Sequence, residues 1–185
     1  MDLFEFVLTG LTLLLALVTT RLLGGLRWVL RPDRADWVHA LMVLDVLALT
    51  SLLWWGLWYL HDVEWSYGAF FYNLLVGPGV LYFLATLLVP DYPRRVRDWR
   101  EYNAGISGQF WGAFALLIVV IFIGSIAIDN TPLWHFTRAI EAVGLVAGLI
   151  GAFSRRRGVH AALTIVLTLL VIAASVISGM RTPPQ

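Results

Sequence analysis

Two charged side chains, Arg138 and Glu141, stand three positions apart in the otherwise apolar stretch TRAIEAVGLVAG, residues 137–148. Residues three apart lie on one face of an α-helix, so these side chains can pair. At mid-membrane each charge alone would cost up to about 2.5 to 3.5 kcal/mol, and such groups normally face protein or a water-filled cavity. The pair therefore predicts either the handling of an ion or proton or a structural clamp between helices.

Further polar side chains are predicted at the same depth. Glu5 lies near the start of the first apolar run, and Asn73 lies near the start of the third. Polar and ionisable groups inside a membrane face one another or line a water-filled cavity, because exposure to lipid is costly. We therefore predict an outward-facing polar pocket that is built from Glu5, Asn73, Arg138 and Glu141.

Glycine and proline mark two places where helices should deviate from ordinary packing. In VGPGV, Pro78 lies between Gly77 and Gly79, and a proline inside a helix kinks or locally opens it because proline has no N–H group. Gly144 and Gly148 form a small-xxx-small pattern beside the charged pair, which lets another backbone approach closely. The charged face is therefore predicted to pack against a helix.

A second charged pair is predicted near the opposite side of the membrane. Asp45 lies about 10 Å into the second apolar run, and Arg21 lies near the end of the first. We predict that Arg21 is the partner of Asp45, because charged groups inside membranes pair with one another. The central parts of the fourth and sixth runs contain no ionisable residue, so the sequence predicts no continuous charged path across the bilayer.

These residues are carried by a strongly apolar chain. Of its 185 residues, 59% are hydrophobic and 14% are charged, compared with about 45 to 50% and about 25% in soluble domains. A helical run of about 20 apolar residues crosses about 30 Å of hydrocarbon. Six such runs predict an all-α integral membrane protein, a single domain over residues 1–185 that is a bundle of six transmembrane helices at 3–23, 38–60, 69–89, 110–128, 133–153 and 159–179.

The basic residues predict the orientation of that bundle. All thirteen are arginine, and eleven lie in or beside three of the connections. The other two connections, HDVEWSYG and DNTP, contain acids and no arginine. The positive-inside rule therefore places the arginine-rich connections in the cytoplasm and both termini outside. The first run lacks the basic residues that precede a signal-peptide core, so we expect it to be retained as a span.

Several classes of chemistry are excluded by residues that the sequence lacks. Without cysteine there is no disulfide, thiolate metal site or iron–sulfur cluster, and without lysine there is no Schiff base. Neither a phosphate-binding glycine loop nor an HExxH pair is present. The four histidines are too scattered to form a metal or haem site, so we expect no cofactor and no metal.

One pair of short motifs suggests an enzyme. GISG, residues 105–108, precedes the fourth predicted span, and His160 begins the sixth. This arrangement resembles rhomboid intramembrane proteases, six-span proteins with a GxSG serine on the fourth span and a histidine on the sixth. The resemblance covers only these two sites and implies Ser107 as nucleophile and His160 as base. The sixth span lacks the glycine that follows the histidine in those proteases, and both residues fall on the predicted cytoplasmic side, opposite to the bacterial protease site.

Two main functional hypotheses remain. The first is a small oligomeric channel or transporter for an ion or small solute, with the outer pocket as its entrance and Asp45 near its inner exit. The second is a non-catalytic scaffold or accessory subunit of a larger assembly, in which the buried charges fix helix packing.

The basic residues also predict location and partners. An all-arginine set is typical of a GC-rich bacterial genome, which favours the cytoplasmic membrane of a bacterium. There the arginine loops should contact anionic lipid headgroups. The other expected partners are a second copy of the chain or another membrane protein, and nucleic acid is not expected because the loops also contain acids.

The topology can be tested with reporter fusions at Gly25, Asp91 and Arg156. All three should report the cytoplasm, because each position belongs to an arginine-rich connection that the positive-inside rule retains there. A fusion at any of the three that reports the exterior would contradict the six-span prediction.

Overall fold

A computed structural model of the chain describes residues 3–57, 66–127, 135 and 137–180. Within this part of the chain the regular secondary structure is entirely helical. A π-helical turn, Tyr72–Val76, joins two of the helices, and a short 3-10 turn, Pro93–Arg95, lies in a connection. The α-helices are α1 Leu3–Val29, α2 Trp37–Gly56, α3 Tyr67–Phe71, α4 Gly77–Leu88, α5 Trp99–Ala127, α6 Thr137–Phe153 and α7 Arg157–Met180.

Short acidic side chains explain where two of the long helices begin. Asp36 precedes α2, and its carboxylate accepts a hydrogen bond from the N–H group of His39 at 3.3 Å. Asp98 precedes α5, and its carboxylate accepts from the N–H group of Arg100 at 2.7 Å. The first N–H groups of a helix have no partner within the helix, so side chains of this kind stabilise its start.

The chain has the features of a membrane protein. Four helices of the described residues are long and apolar enough to cross a bilayer: Glu5–Val29, Trp37–Gly56, Trp99–Ile126 and Arg157–Gly179. These helices also present large apolar side chains on the outside of the molecule, such as Leu13 at 63% and Leu169 at 60% exposure. Large continuous apolar surfaces are rare on soluble monomers, so lipid is the natural solvent for these faces.

Two of the six predicted spans have a different form. The third consists of α3, the π-helical turn and α4, and the turn ends where Pro78 follows Gly77. Proline cannot donate a backbone hydrogen bond and crowds the preceding turn, which explains why the helix widens at this point. The fifth is observed as α6, whose 17 residues reach about 26 Å, slightly less than the hydrocarbon thickness.

Parts of the sequence-based topology fall on residues that are not described. The predicted outer connection at 129–132 lies outside the described residues, and so do residues 61–65 of the other outer connection. The six-span topology and the sides of the termini therefore remain predictions.

The helices pack in a closed order that differs from their order along the chain. α1 contacts α2 and α4, α4 contacts α5, α5 contacts α6, and α7 lies between α6 and α2. The interior of this arrangement is filled by large side chains that are almost fully buried, including Trp99, Phe110, Trp111, Leu15, Leu22, Leu81, Leu84 and Leu117. As a result, α2, α5, α6 and α7 surround one part of the interior and α1 borders the other.

The closest helix contact joins α5 to α6 through glycine. A Cβ atom added at Gly148 would lie 2.8 Å from the Cβ of Ala115 and 3.0 Å from the backbone nitrogen of the same residue. At Gly151 an added Cβ would lie 2.3 Å from the ring of Trp111, and at Gly144 it would lie 3.2 Å from Ile118. The predicted close contact at Gly144 and Gly148 is thus formed within the chain, against α5.

Replacing Gly148 with leucine should lower the melting temperature, because overpacking of a tight contact costs roughly 1 to 3 kcal/mol. The measurement is thermal unfolding in detergent. Gly24→Leu is the matched control, since Gly24 lies in α1 with nothing within 4 Å of an added Cβ. Equal melting temperatures for Gly148→Leu and the wild-type protein would contradict the close contact.

Candidate functional site

The charged pair on α6 is formed and is anchored to α5. Nη1 of Arg138 donates to Oε2 of Glu141 at 2.6 Å, and both side chains are 11% exposed. The same Nη1 atom lies 2.6 Å from the hydroxyl of Ser125 on α5, and the guanidinium lies 4.8 Å from the ring centre of Phe122. Arg138 therefore holds the start of α6 against the end of α5.

Glu141 lines a cavity of about 260 Å³ between α2, α5, α6 and α7, which we call the Glu141 cavity. Its wall is apolar except for Glu141, Thr137 and Ser178, and it extends along α2 to Leu49 and along α7 to Leu167. The carboxylate therefore faces a largely apolar space as well as its arginine partner.

Asp45 lies just beyond the far end of this cavity. It is four residues before Leu49 on α2, so it occupies the same helix face one turn further along. The side chain is 3% exposed, and its Oδ2 atom lies 3.0 Å from the hydroxyl of Thr168 on α7. Glu141 thus lines one end of the cavity, and Asp45 lies one helical turn beyond the other end.

The predicted pairing of Arg21 with Asp45 is not formed. Nε of Arg21 donates to the carbonyl oxygen of Val89 at 2.9 Å, and Nη2 donates to Asp91 at 2.7 Å. The reason is the packing order, since α1 contacts α4, whose end presents Val89 and Asp91, whereas Asp45 faces α7. No ion pair involves Asp45 within the described part of the chain.

Three residues on one face of α7 continue from Asp45 towards the arginine-rich end. The hydroxyl of Thr168 lies 3.0 Å from the carbonyl oxygen of Thr164, and the hydroxyl of Thr164 donates to the carbonyl oxygen of His160 at 2.9 Å. Thr164 is fully buried and His160 is 6% exposed. We call Asp45, Thr168, Thr164 and His160 the polar row.

Thr168 stands between two acceptors, and its hydroxyl carries only one proton. When Asp45 is ionised, Thr168 can donate either to Asp45 or to the carbonyl oxygen of Thr164, both at 3.0 Å. When Asp45 carries a proton, Asp45 can donate to Thr168 while Thr168 donates to the carbonyl. The hydrogen bonds of Thr168 therefore depend on the proton at Asp45.

The polar row ends at a large open pocket of about 720 Å³, which we call the arginine-side pocket. It lies where α5 begins, α6 ends and α7 begins, and His160 and Ser107 belong to its wall. Nε2 of His160 lies 3.1 Å from the carbonyl oxygen of Ser154, which can only accept, so Nε2 carries the proton of that bond. The other ring nitrogen, Nδ1, is buried without a hydrogen-bond partner.

Asp36 joins three helices beside this pocket. Its carboxylate, 3% exposed, accepts from the guanidinium of Arg157 on α7 as well as from the N–H group of His39. Nδ2 of Asn103 on α5 lies 3.5 Å from the same carboxylate. The ring of His39 stacks on Trp99 with 4.8 Å between ring centres. Asp36 therefore fixes the starts of α2 and α7 relative to α5.

Ser107 and His160 belong to the same pocket, but they are not arranged as a nucleophile and base. The hydroxyl of Ser107 donates to the carbonyl oxygen of Asn103 at 2.6 Å, and Nε2 of His160 is bonded to Ser154. Ser107 lies inside α5, where a hydroxyl commonly bonds to the carbonyl four residues earlier. The observed hydrogen bonds therefore do not support the pairing that the rhomboid resemblance implies.

The predicted outer pocket is divided in the structure. Asn73 donates to the carbonyl oxygen of Ala69 at 3.0 Å and lines a separate cavity of about 210 Å³ with Pro78 and Ser125. Leu53 and Ile121 line both this cavity and the Glu141 cavity, so they form the wall between them. Glu5 is exposed on α1 and belongs to the wall of neither cavity.

Two features of the site are not predicted from the sequence: the threonines of the polar row and the contacts of Asp36 with three helices. The signal for the row was present, because His160, Thr164 and Thr168 follow one another at intervals of four residues, which places them on one helix face. The position of Asp36 directly before an apolar run was a signal for a helix cap. Its contacts with α5 and α7 had no local signal, since they join residues far apart in sequence.

Comparison of the chain with known protein families, with curated proteins and with solved structures finds no match in any of the three.

Proposed function

We propose that the protein is a multi-pass protein of the bacterial cytoplasmic membrane that transfers protons along the groove between α2, α5, α6 and α7. The observation that carries this proposal is that one cavity has Glu141 near one end and Asp45 just beyond the other. Carboxyl groups within a membrane interior are costly, and they are by default candidates for proton and ion pathways.

The path consists of three parts. Glu141 is the outer carboxyl group, the Glu141 cavity is the middle, and Asp45 with Thr168 is the inner end. Beyond Thr168 the hydroxyl of Thr164 donates to a backbone carbonyl oxygen, so in this proposal water carries the proton from Asp45 to the arginine-side pocket. At about 30 Å³ for each water molecule, a cavity of 260 Å³ has room for about eight waters. In this proposal water that is held by Glu141, Thr137 and Ser178 enters the cavity and carries a proton towards Asp45.

The chemistry of the wall favours a proton over a metal cation. A cation such as Na⁺ or Ca²⁺ needs several oxygen ligands around it, whereas the wall of the Glu141 cavity is mostly leucine, isoleucine, valine and phenylalanine. A proton needs only one acceptor at each step. The hydrogen bonds of Thr168, which depend on the proton at Asp45, fit such a stepwise transfer.

The proposal includes the topology predicted from the sequence. In this arrangement α3, the π-helical turn and α4 form the third span, α6 with the residues before it forms the fifth, and both termini lie outside. The arginine-side pocket then faces the cytoplasm. Assembly into a homo-oligomer remains part of the proposal.

A second candidate function is a structural subunit of a membrane assembly. The observation that favours it is the anchoring of Arg138, which contacts Glu141, Ser125 and Phe122 and thereby joins α6 to α5. In this case the charges fix the relative position of two helices and no ion moves.

Proton transfer is tested by acidifying liposomes that contain the protein and a pH-sensitive dye. Asp45→Asn should lower the proton flux at least about tenfold, because a positioned proton-transfer group contributes that much or more. Thr168→Val should lower the flux in the same direction, since valine has a similar shape without the hydroxyl.

Two matched variants serve as controls. Asp33→Asn removes an exposed carboxylate that pairs with Arg31 and Arg34 outside the path, and Thr19→Val removes a hydroxyl on α1 that bonds to the carbonyl oxygen of Leu15. Both should keep the flux of the wild-type protein. A wild-type protein that passes no protons under a gradient would end the proposal.

A double variant of Arg138 and Glu141 distinguishes a structural role of the ion pair from a role in proton transfer. Glu141→Gln alone breaks the buried ion pair by removing one of its members, which costs roughly 3 to 5 kcal/mol, and adding Arg138→Met should restore the melting temperature. If Glu141 carries protons, the restored double variant should still lack flux. A stable double variant with the flux of the wild-type protein would leave only the structural role.

A further inference from the structure

The arginine-side pocket has charged groups of both signs in its wall. Three arginines and two acids take part, namely Arg100, Arg155, Arg157, Asp98 and Glu101. Arg157 is neutralised by Asp36, which lies beside the pocket. The remaining groups are two arginines and two carboxylates, so the wall is balanced in charge and does not select for a simple anion.

Several of these groups have no partner in the part of the chain that the structure describes. No ion pair or hydrogen bond engages the guanidinium groups of Arg100 and Arg155 or the carboxylate of Glu101 there. Asp98 is different, because its carboxylate accepts from two N–H groups at the start of α5. The pocket thus offers two free cations and at least one free carboxylate to a ligand.

The buried part of the wall offers a hydrogen-bond acceptor. His160 is 6% exposed, and its Nδ1 atom has no partner. Since Nε2 donates to Ser154, Nδ1 of the neutral ring has a lone pair that needs a donor. Nδ1 is itself shielded from the pocket, so the accessible groups of the wall are the arginines and a carboxylate. A ligand that fits this pocket therefore brings a negative group for the arginines and an N–H donor for the carboxylate.

The rim of the pocket is formed by apolar residues, two of which have small or no side chains. Phe153, at the end of α6, is 86% exposed, and Ala104 and Gly108 are exposed on one face of α5. A soluble polar ligand has no apolar part that would contact this rim, whereas the acyl chains of a lipid can pack against it. Helix ends with arginine are also found at the depth of lipid headgroups.

We propose that the arginine-side pocket binds the headgroup of a phosphatidylethanolamine lipid. The phosphate contacts Arg100 and Arg155, and the first N–H groups of α7 contribute to the same site. The primary ammonium donates hydrogen bonds to Glu101. This binding does not require proton transfer, because it uses only the charged groups in the wall of the pocket.

The decisive comparison is between two lipids that differ only at the nitrogen atom. Short-chain phosphatidylethanolamine and phosphatidylcholine are titrated into the wild-type protein in detergent, and binding is followed by thermal stability and intrinsic tryptophan fluorescence. Phosphatidylethanolamine should bind at least about tenfold more tightly, because the trimethylated nitrogen of phosphatidylcholine has no N–H donor. Equal affinities would overturn the proposal, and this result does not depend on the folding of any variant.

Neighbouring arginines give a matched pair of variants. Arg155→Gln should weaken phosphatidylethanolamine binding at least about tenfold, whereas Arg156→Gln, which alters an exposed arginine outside the wall of the pocket, should leave it unchanged. Glu101→Gln should remove the preference for phosphatidylethanolamine over phosphatidylcholine. Equal losses in Arg155→Gln and Arg156→Gln would indicate non-specific attraction and contradict the site.

A soluble headgroup distinguishes the source of the ligand. Phosphoethanolamine without acyl chains should bind much more weakly than the lipid, since it cannot use the rim formed by Ala104, Gly108 and Phe153. Binding of phosphoethanolamine as tight as that of the lipid would identify a soluble ligand and overturn the lipid proposal.

Discussion

A bilayer interior supplies no hydrogen-bond partner, so every polar group in it must find one within the protein. The hydroxyl groups of this chain meet that requirement locally. Thr19, Thr50 and Thr164 each donate to the carbonyl oxygen four residues earlier in their own helix. Against this regular pattern, Ser125 and Thr168 stand out because each also contacts a charged or ionisable side chain of another helix. Thr168 contacts Asp45 beyond one end of the groove between α2, α5, α6 and α7, and Ser125 holds Arg138, the partner of Glu141, near the other end.

The sequence predicted the features that depend on local pattern. The helical class, the apolar runs and the contact of Arg138 with Glu141 follow from hydropathy and from spacing on one helix. The close approach at Gly148 follows from small residues at intervals of four. The loss of regular α-helix before Pro78 follows from the missing N–H group of proline.

Other features could not be predicted because they depend on which helices become neighbours. The sequence suggests Arg21 as the partner of Asp45 from their similar depth, but depth does not specify the direction in which a side chain points around the helix. The packing order decides these contacts. Because α7 packs against α2, Thr168 forms a hydrogen bond with Asp45, and because α4 packs against α1, Asp91 forms one with Arg21. The carboxylate of Asp36 likewise joins residues on three helices whose separation in sequence hides their contact.

The structural and proton-transfer roles of the Arg138 and Glu141 pair are compatible. Arg138 has contacts with Ser125 and Phe122 that do not require a charge on Glu141. A proton that reached Glu141 would remove its attraction to Arg138, yet these contacts would keep the arginine in place. The carboxyl group would then be free to turn towards the cavity that it already lines. Under the proposed function, Arg138 would therefore stay in place while Glu141 takes up a proton at one end of the groove and releases it towards Asp45.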